Sequence, residues 1–169
     1  MSAQLTKIIS GGQTGADRAA LDFALRHGIP HGGWCPHGRL AEDGAIDPRY
    51  RLQETPSAAY EQRTEWNVRD SDGTVIFSIA DQLTAGSKLT EELAGRHGKP
   101  CLHLARGRSK ESPRLLHQFI SEHRIHILNV AGPRVSTEPE IVTFTLNVLR
   151  IWWKDLSEAQ ASDAQVQAS

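Results

Sequence analysis

"KIISGGQTGADRAALDFALRHG", Lys7 to Gly28, is the stretch on which the fold turns. An apolar run breaks into Gly11-Gly12-Gln13-Thr14-Gly15 and then into an alanine-rich segment with helical spacing. "TKIIS" reads as a strand and "ADRAALDFALRHG" as a helix with Gly28 as its C-cap, so the glycines lie at a strand-to-helix junction. Glycine takes positive φ and allows close backbone approach without a Cβ clash. The first amides of a helix have no intrahelical acceptor and favour an anion. Thr14 adds a hydroxyl, and Arg18 follows in the first turns. Asp17 suits the helix dipole but repels a phosphate if it points inward. The spacing is neither G-x-G-x-x-G nor Gly-Lys-Ser/Thr, which excludes a dinucleotide fingerprint and a P-loop. Anion binding and a purely structural turn remain the two readings of this loop.

Outward from it, short β-branched runs alternate with helical stretches, the pattern of a parallel α/β sheet. "IPHGGWCPHGRLAEDGAIDPRYRLQET" is a long punctuated loop with a short strand around Ile29 to Trp34, and loops of that length usually serve a site. "PSAAYEQRTEWNVRDS" reads as a helix with Ser57 as N-cap, and "GTVIFSI" as the clearest buried strand. "GSKLTEELAGRHGKP" is a helix stopped at Gly98, then strand "CLHLA", helix "SPRLLHQFISEH", strand "IHILNVAGPR" and the long helix "EPEIVTFTLNVLRIWWKDL". The expectation is a three-layer Rossmann-like α/β fold, a mostly parallel sheet flanked by helices. Residues 1–156 read as one ligand-binding domain and 157–169 as a polar tail that frays. Ligands in such sheets sit beyond the carboxyl ends of the strands, where Gly11-Gly12, Gly86 and Gly132 would converge.

The 169 residues are 38% hydrophobic and 23% charged with a formal net charge of −1, so nothing draws the chain globally to nucleic acid or anionic lipid. No apolar run is long enough to span a bilayer and no leader pattern precedes the first strand, so the protein reads as cytoplasmic. That setting favours reduced Cys35 and Cys101, the latter packed in a buried strand. His31, Cys35 and His37 are close in sequence, but one thiol and two imidazoles without a second cluster make a poor zinc site, and no protein-ligated metal is expected. His27 and His97 precede helix-ending glycines, where a cation complements the dipole. Trp152 and Trp153 cannot face one way; one belongs to the core and the other is available to an oligomer contact.

A second loop repeats the logic of the first. In "FSIADQLTAGSKLTEELA", Gly86, Ser87 and Thr90 fall where strand passes into helix, with Ser87 placed as an N-cap. Simple capping competes with anion binding here, and two such loops in one domain strengthen the second reading. In the long loop Arg39 offers charge and Glu42 and Asp43 offer acceptors to a ligand, against the alternative of a solvated charged loop. On "AAYEQRTEWNV", Tyr60, Arg63, Thr64 and Asn67 share a helix face that either meets solvent or holds a heterocycle and its phosphate.

Together these residues resemble the putative molybdenum carrier family, a circularly permuted branch of the Rossmann-like SLOG nucleotide-binding superfamily. The resemblance is carried by "IISGGQTGADRAALDFA", "CPHGRLAEDGAIDPRYRLQET", "YEQRTEWNVRDSDGTVIFS", "GSKLTEELA" and "PCLHL", and beyond about Ala105 it extends to architecture alone. It implies a homo-oligomer, dimer or tetramer, that binds molybdenum cofactor or another phosphate-bearing ligand such as a nucleotide. It points to Gly11, Gly12, Gln13, Thr14, Gly15, Asp17 and Arg18 in the first loop and Gly86, Ser87 and Thr90 in the second, with Arg39, Arg63 and Asn67 as further contacts.

The distant lonely-guy phosphoribohydrolases carry Gly-Gly-x-Gly-Thr-x-x-Glu, whose glutamate assists glycosidic cleavage. Aligning Gly86-Ser87 with their Gly-Thr puts Thr90 where the glutamate stands. A hydroxyl cannot replace that carboxylate, and Glu91 is turned by about 100° on the helix. The leading expectation is therefore a binding and carrier module for a phosphorylated small molecule. The alternatives are a nucleotide-processing hydrolase using Asp17, Glu42, Asp43 or Glu91 as acid/base, and a nucleotide sensor acting through a partner protein.

Overall fold

The structure, a computed structural model, describes residues 4–167. Strand β1 (Lys7–Ile9) leads into helix α1 (Ala16–His27), and β2 (His31–Gly32) returns beside β1. The long loop holds β3 (Trp34–Cys35), β4 (Leu40–Ala41), β5 (Gly44–Ala45) and β6 (Gln53–Glu54), paired β3 with β6 and β4 with β5. Then come α2 (Tyr60–Arg69), β7 (Gly73–Ser78), α3 (Ala85–Arg96), β8 (Cys101–Ala105), α4 (Ser112–Glu122), β9 (Ile127–Ala131) and α5 (Ile141–Gln167). The main sheet is five-stranded and parallel throughout, in the order β2-β1-β9-β7-β8. The Rossmann-like α/β expectation holds. The last strand, β9, is the central one, with Ile8 opposite Leu128 and Val75 opposite Val130.

Every residue of β7 is buried, as a parallel strand covered by helices on both faces requires. Helix α1 presents Ala16, Ala20, Phe23 and Ala24 to the same core, where α5 adds Phe144, Val148, Leu149 and Trp152. Each large side chain so buried is worth about 1.5–3 kcal/mol. Gly28, at φ 65°, ends α1 by donating to the carbonyls of Ala24 and Leu25. A second small core of Leu21, Cys35, Ile46 and Tyr50 fixes the long loop against α1.

Several local expectations change. The strand foreseen at Ile29 to Trp34 splits at Gly33 (φ 121°): His31–Gly32 stays in the main sheet, while Trp34–Cys35 leaves to pair with Gln53–Glu54. Ser57 is not the N-cap of α2; Ala59 holds that place, and the Ser57 hydroxyl accepts the Ala59 amide instead. Ser87 lies inside α3, whose N-cap is Thr84. Cys101 is half-buried because β8 is the sheet edge, and both cysteines are free thiols. Trp152 enters the core, and the half-buried Trp153 packs edge-on against Phe23 and beside His27 of its own chain. Helix α5 continues through the polar segment to Gln167, a span of about 40 Å, with residues 157–166 exposed. Among the described residues no helix is long and apolar enough to cross a membrane.

Candidate functional site

A cavity of about 260 Å³ opens at the carboxyl ends of β1, β7 and β9, where parallel α/β sheets place ligands. All three glycine-containing segments reach it, through Gly11, Gly86 and Gly132. One wall is the polar face of α2 with Tyr60, Arg63, Thr64 and Asn67. The opposite wall is the start of α3, with Thr84, Ala85, Ser87, Leu89 and Thr90, and the segment after β9 brings Pro133 and Arg134.

The first loop brings Gly11, Gln13 and Asp17 to the cavity and spends several of its amides on the protein itself. The Gly12 amide donates to Ser10 Oγ, the Gln13 amide to Asp17 Oδ2 and the Thr14 amide to Gln13 Oε1. The Ala16 amide donates to the carbonyl of Pro133. Four amides of the loop and of the first turn of α1 thus have acceptors within the protein, and the glycines serve packing. A Cβ on Gly11 would lie 1.5 Å from Arg63 Nη1, and one on Gly15 (φ 89°) 2.2 Å from the carbonyl oxygen of Pro133. Gly12 faces Leu52 and Ile46.

Asp17 is 4% exposed and pairs with Arg63, Nη1 to Oδ2 at 2.8 Å. Burial pushes its carboxyl above the usual range, against the opposing pull of Arg63 and the Gln13 amide. Oδ1 takes no hydrogen bond among the described residues. Asn67 lines the cavity, yet its amide is committed to the backbone of Trp34, accepting from N at 2.8 Å and donating to O at 2.9 Å.

At the other wall, α3 begins without a side-chain cap. The carbonyl of Thr84 accepts from the amides of Ser87 and Lys88, which leaves those of Ala85 and Gly86 ahead of the first helical bond. Ala85 sits at φ 45°, a strained value for a residue with a Cβ. Gly86 meets nothing a Cβ would strike, so no close approach explains it. The Thr90 hydroxyl donates to the Gly86 carbonyl at 2.8 Å within its own helix, and Glu91 pairs with Lys88 outside the cavity.

Five expected contacts, Gly12, Thr14, Gly15, Arg18 and Arg39, do not line the cavity. Arg39 donates to the carbonyls of Ile46, Asp47, Tyr50 and Leu52, so it holds the long loop together from inside. Arg18 reaches Asp43 and the carbonyl of Gly12. Thr14 donates to Glu42 Oε1, which also accepts the Ser136 amide, while Ser136 Oγ donates to Glu42 Oε2. Hydrogen bonds from Ser136 and Thr14 draw the Glu42 carboxyl below its usual range, and one from Arg18 does the same to Asp43. The β4–β5 hairpin is therefore latched across the first loop. Gly15, the N-cap of α1, also stays out of the cavity.

The sequence reading missed Ser78, Asn129, Arg134 and Glu138. Arg134 was the legible one, since it is a cation beside the third glycine-ended strand in "AGPR". Its guanidinium lies 5.7 Å from the Tyr60 ring centroid, and that of Arg63 lies 5.5 Å away. Glu138 accepts the amides of Ile79 and Ala80, tying the end of β7 to the segment before α5. Ser78 Oγ donates to the Ala80 carbonyl and lies 2.6 Å from His103 Nε2. The Ser78 hydroxyl thus stands at hydrogen-bond distance from both a backbone carbonyl and an imidazole nitrogen. His31 accepts the Arg51 amide, Cys35 is buried among apolar groups and His37 stands by Glu54. Among the described residues no three His, Cys, Asp or Glu side chains gather as a metal site.

A search of curated proteins finds no match. A crystal structure described as a putative molybdenum carrier protein from Syntrophus aciditrophicus SB superposes with a TM-score of 0.87. It is 50% identical over 90% of this chain and 97% of its own. The sequence profile of the circularly permutated YpsA SLOG family matches residues 8–153. The central place of the last strand in the sheet accords with a permuted connectivity. On both counts the chain belongs to the circularly permutated YpsA branch of the SLOG family.

Proposed function

We propose that this protein binds and carries a phosphate-bearing small molecule in the cavity between α2 and α3. One observation carries the reading: the uncapped N-terminus of α3 opens onto the cavity with the amides of Ala85 and Gly86, and Arg134 borders the same space. Backbone donors, a helix dipole and a guanidinium are together the chemistry of a phosphate seat. The volume, near the lower bound for small-molecule sites, suits a compact ligand.

The relative named a putative molybdenum carrier supports molybdenum cofactor as cargo. The residues fit its organic part: α3 and Arg134 for the phosphate, and Tyr60, Leu83 and Leu89 for a flat ring. A nucleotide presents the same two groups. The proposal extends to residues 1–156 acting as one binding unit in a cytoplasmic homo-oligomer, the state that the family resemblance implies.

The test is mass spectrometry of small molecules released from the purified protein, with calorimetric titration of inorganic phosphate, nucleoside monophosphates and molybdenum cofactor. Saturable micromolar binding without turnover supports carriage. No binding of any phosphate overturns it, and release of free base from a nucleoside monophosphate replaces carriage with hydrolysis.

A further inference from the structure

A second concavity, a groove of about 500 Å³, runs between α5 and the turn Arg106–Arg108 that follows β8. It shares no residue with the cavity between α2 and α3. Its floor is apolar: Phe144 and Val148 are buried there, and Ile151 continues the row at 50% exposure. A lone surface isoleucine is ordinary, but one that extends a groove floored by core residues marks a contact surface. The rim is cationic. Arg106 is held by Glu140, whereas Lys110 meets no carboxylate among the described residues.

The complement of this groove lies further along the same helix. Asn147, Ile151, Asp155 and Glu158 follow one another at four- and three-residue spacing, so they share a face of α5. Asp155 has no ion-pair partner among the described residues, and Glu158 reaches Lys154 at 3.8 Å in an exposed pair worth little. Residues 157–166 then run on as exposed helix. One end of this face adjoins a cationic rim and the other bears two carboxylates, with an apolar side chain between them. Such a surface is complementary to itself turned end for end, which is what a two-fold contact requires.

We infer that two copies of this chain pair through α5, antiparallel and crossing at Ile151. The two Ile151 side chains meet beside the floor of Phe144 and Val148. Asp155 of the second copy falls opposite Asn147, and Glu158 of the second copy opposite Phe144, in the stretch that Arg106 and Lys110 border. A parallel arrangement sets Lys154, Asp155 and Glu158 each against its own copy, and like charges repel. The antiparallel contact runs over about 30 Å of each helix. One apolar anchor per copy inside a charged rim gives a dissociable, salt-sensitive dimer with a Kd on the order of 10 μM. This deepens the homo-oligomer part of the reading above by assigning its surface, and it is independent of what the cavity between α2 and α3 holds.

Sedimentation equilibrium of the full chain tests this, with calorimetric titration of inorganic phosphate alongside. The native chain associates at about 100 μM. Ile151→Glu sets two carboxylates against each other and weakens association at least about thirty-fold. Lys110→Glu weakens it about five-fold, and adding Asp155→Lys and Glu158→Lys to Lys110→Glu recovers most of that loss. Ile151→Cys forms an intermolecular disulfide under mild oxidation, and the native chain, with Cys35 buried and Cys101 half-buried, does not. A native chain that stays monomeric overturns the inference, and phosphate binding by that monomer leaves the ligand reading standing. Association that Ile151→Glu leaves unchanged also overturns it, because the copies then meet elsewhere. So does an Ile151→Cys chain that stays unlinked. Where Ile151→Glu loses its fold, the loss and recovery in the Lys110→Glu series decide the matter.

Discussion

Arg63 Nη1 lies 2.8 Å from Asp17 Oδ2, and it passes through the place a Cβ on residue 11 would occupy. Three residues far apart in the chain thus form one device: a glycine at the end of β1, a carboxylate in the first turn of α1 and a guanidinium from α2. The glycine is there for the arginine, and the arginine for the carboxylate.

Gly11→Ala expels the guanidinium and leaves Asp17 buried without its partner. It lowers stability by about 2–3 kcal/mol in denaturant unfolding. Arg63→Ala has a cost of the same order. The double variant loses less than the sum by about 1–2 kcal/mol, because alanine at 11 has room once the guanidinium is absent. Strict additivity would mean that the two positions do not share this contact.

The Glu42 latch is sensitive to acid. Its carboxyl titrates below the ordinary 4.5 because the folded state supplies donors from Ser136 and Thr14. A lowered folded value means that the stabilisation is whole above 4.5 and is lost as the pH falls through the folded value. Hydrogen exchange at the Ser136 amide, followed from neutral pH downwards and corrected for intrinsic rates, accelerates in that acid window. In Glu42→Gln the protection is already reduced at neutral pH and the acid-induced change flattens.

Arg134→Ala weakens binding of inorganic phosphate and of nucleoside monophosphates alike, by roughly ten-fold, or about 1.4 kcal/mol. Its side chain is 43% exposed, so added salt narrows the difference between the two proteins. Stability changes little, since Arg134 stands 4.0 Å from Glu42 and anchors no core. An unchanged phosphate affinity would remove Arg134 from the site.

Thr90→Val keeps the side-chain shape and deletes only a hydroxyl that already donates to Gly86 in its own helix. Ligand affinity changes less than about two-fold and stability less than about 1 kcal/mol. A larger loss of affinity would show that Thr90 turns its oxygen to the ligand.

The order of strands and helices, the buried β7 and the Gly28 cap were all readable along the chain, because each depends on neighbours a few residues away. The pairing of Arg39 was not. Its positive charge suggested a ligand contact, yet all four of its acceptors are backbone carbonyls of its own loop, which no charge pattern reveals. Arg134 was overlooked for the opposite reason: a lone cation after a Gly-Pro turn gains meaning only when β9 lies at the sheet centre beside β1 and β7.

The glycine-rich loop at Gly11 to Gly15 shows where local chemistry stops. Its residues specify a strand-to-helix turn, since backbone freedom and the first amides of a helix are local properties. Whether those amides wait for an anion depends on what else reaches them. Ser10, Asp17, Gln13 and Pro133 take the amides of Gly12, Gln13, Thr14 and Ala16, whereas no side chain caps the start of α3. Composition and spacing along one segment set its secondary structure. Which of its polar groups remain for a ligand is decided by side chains and carbonyls that only folding brings near.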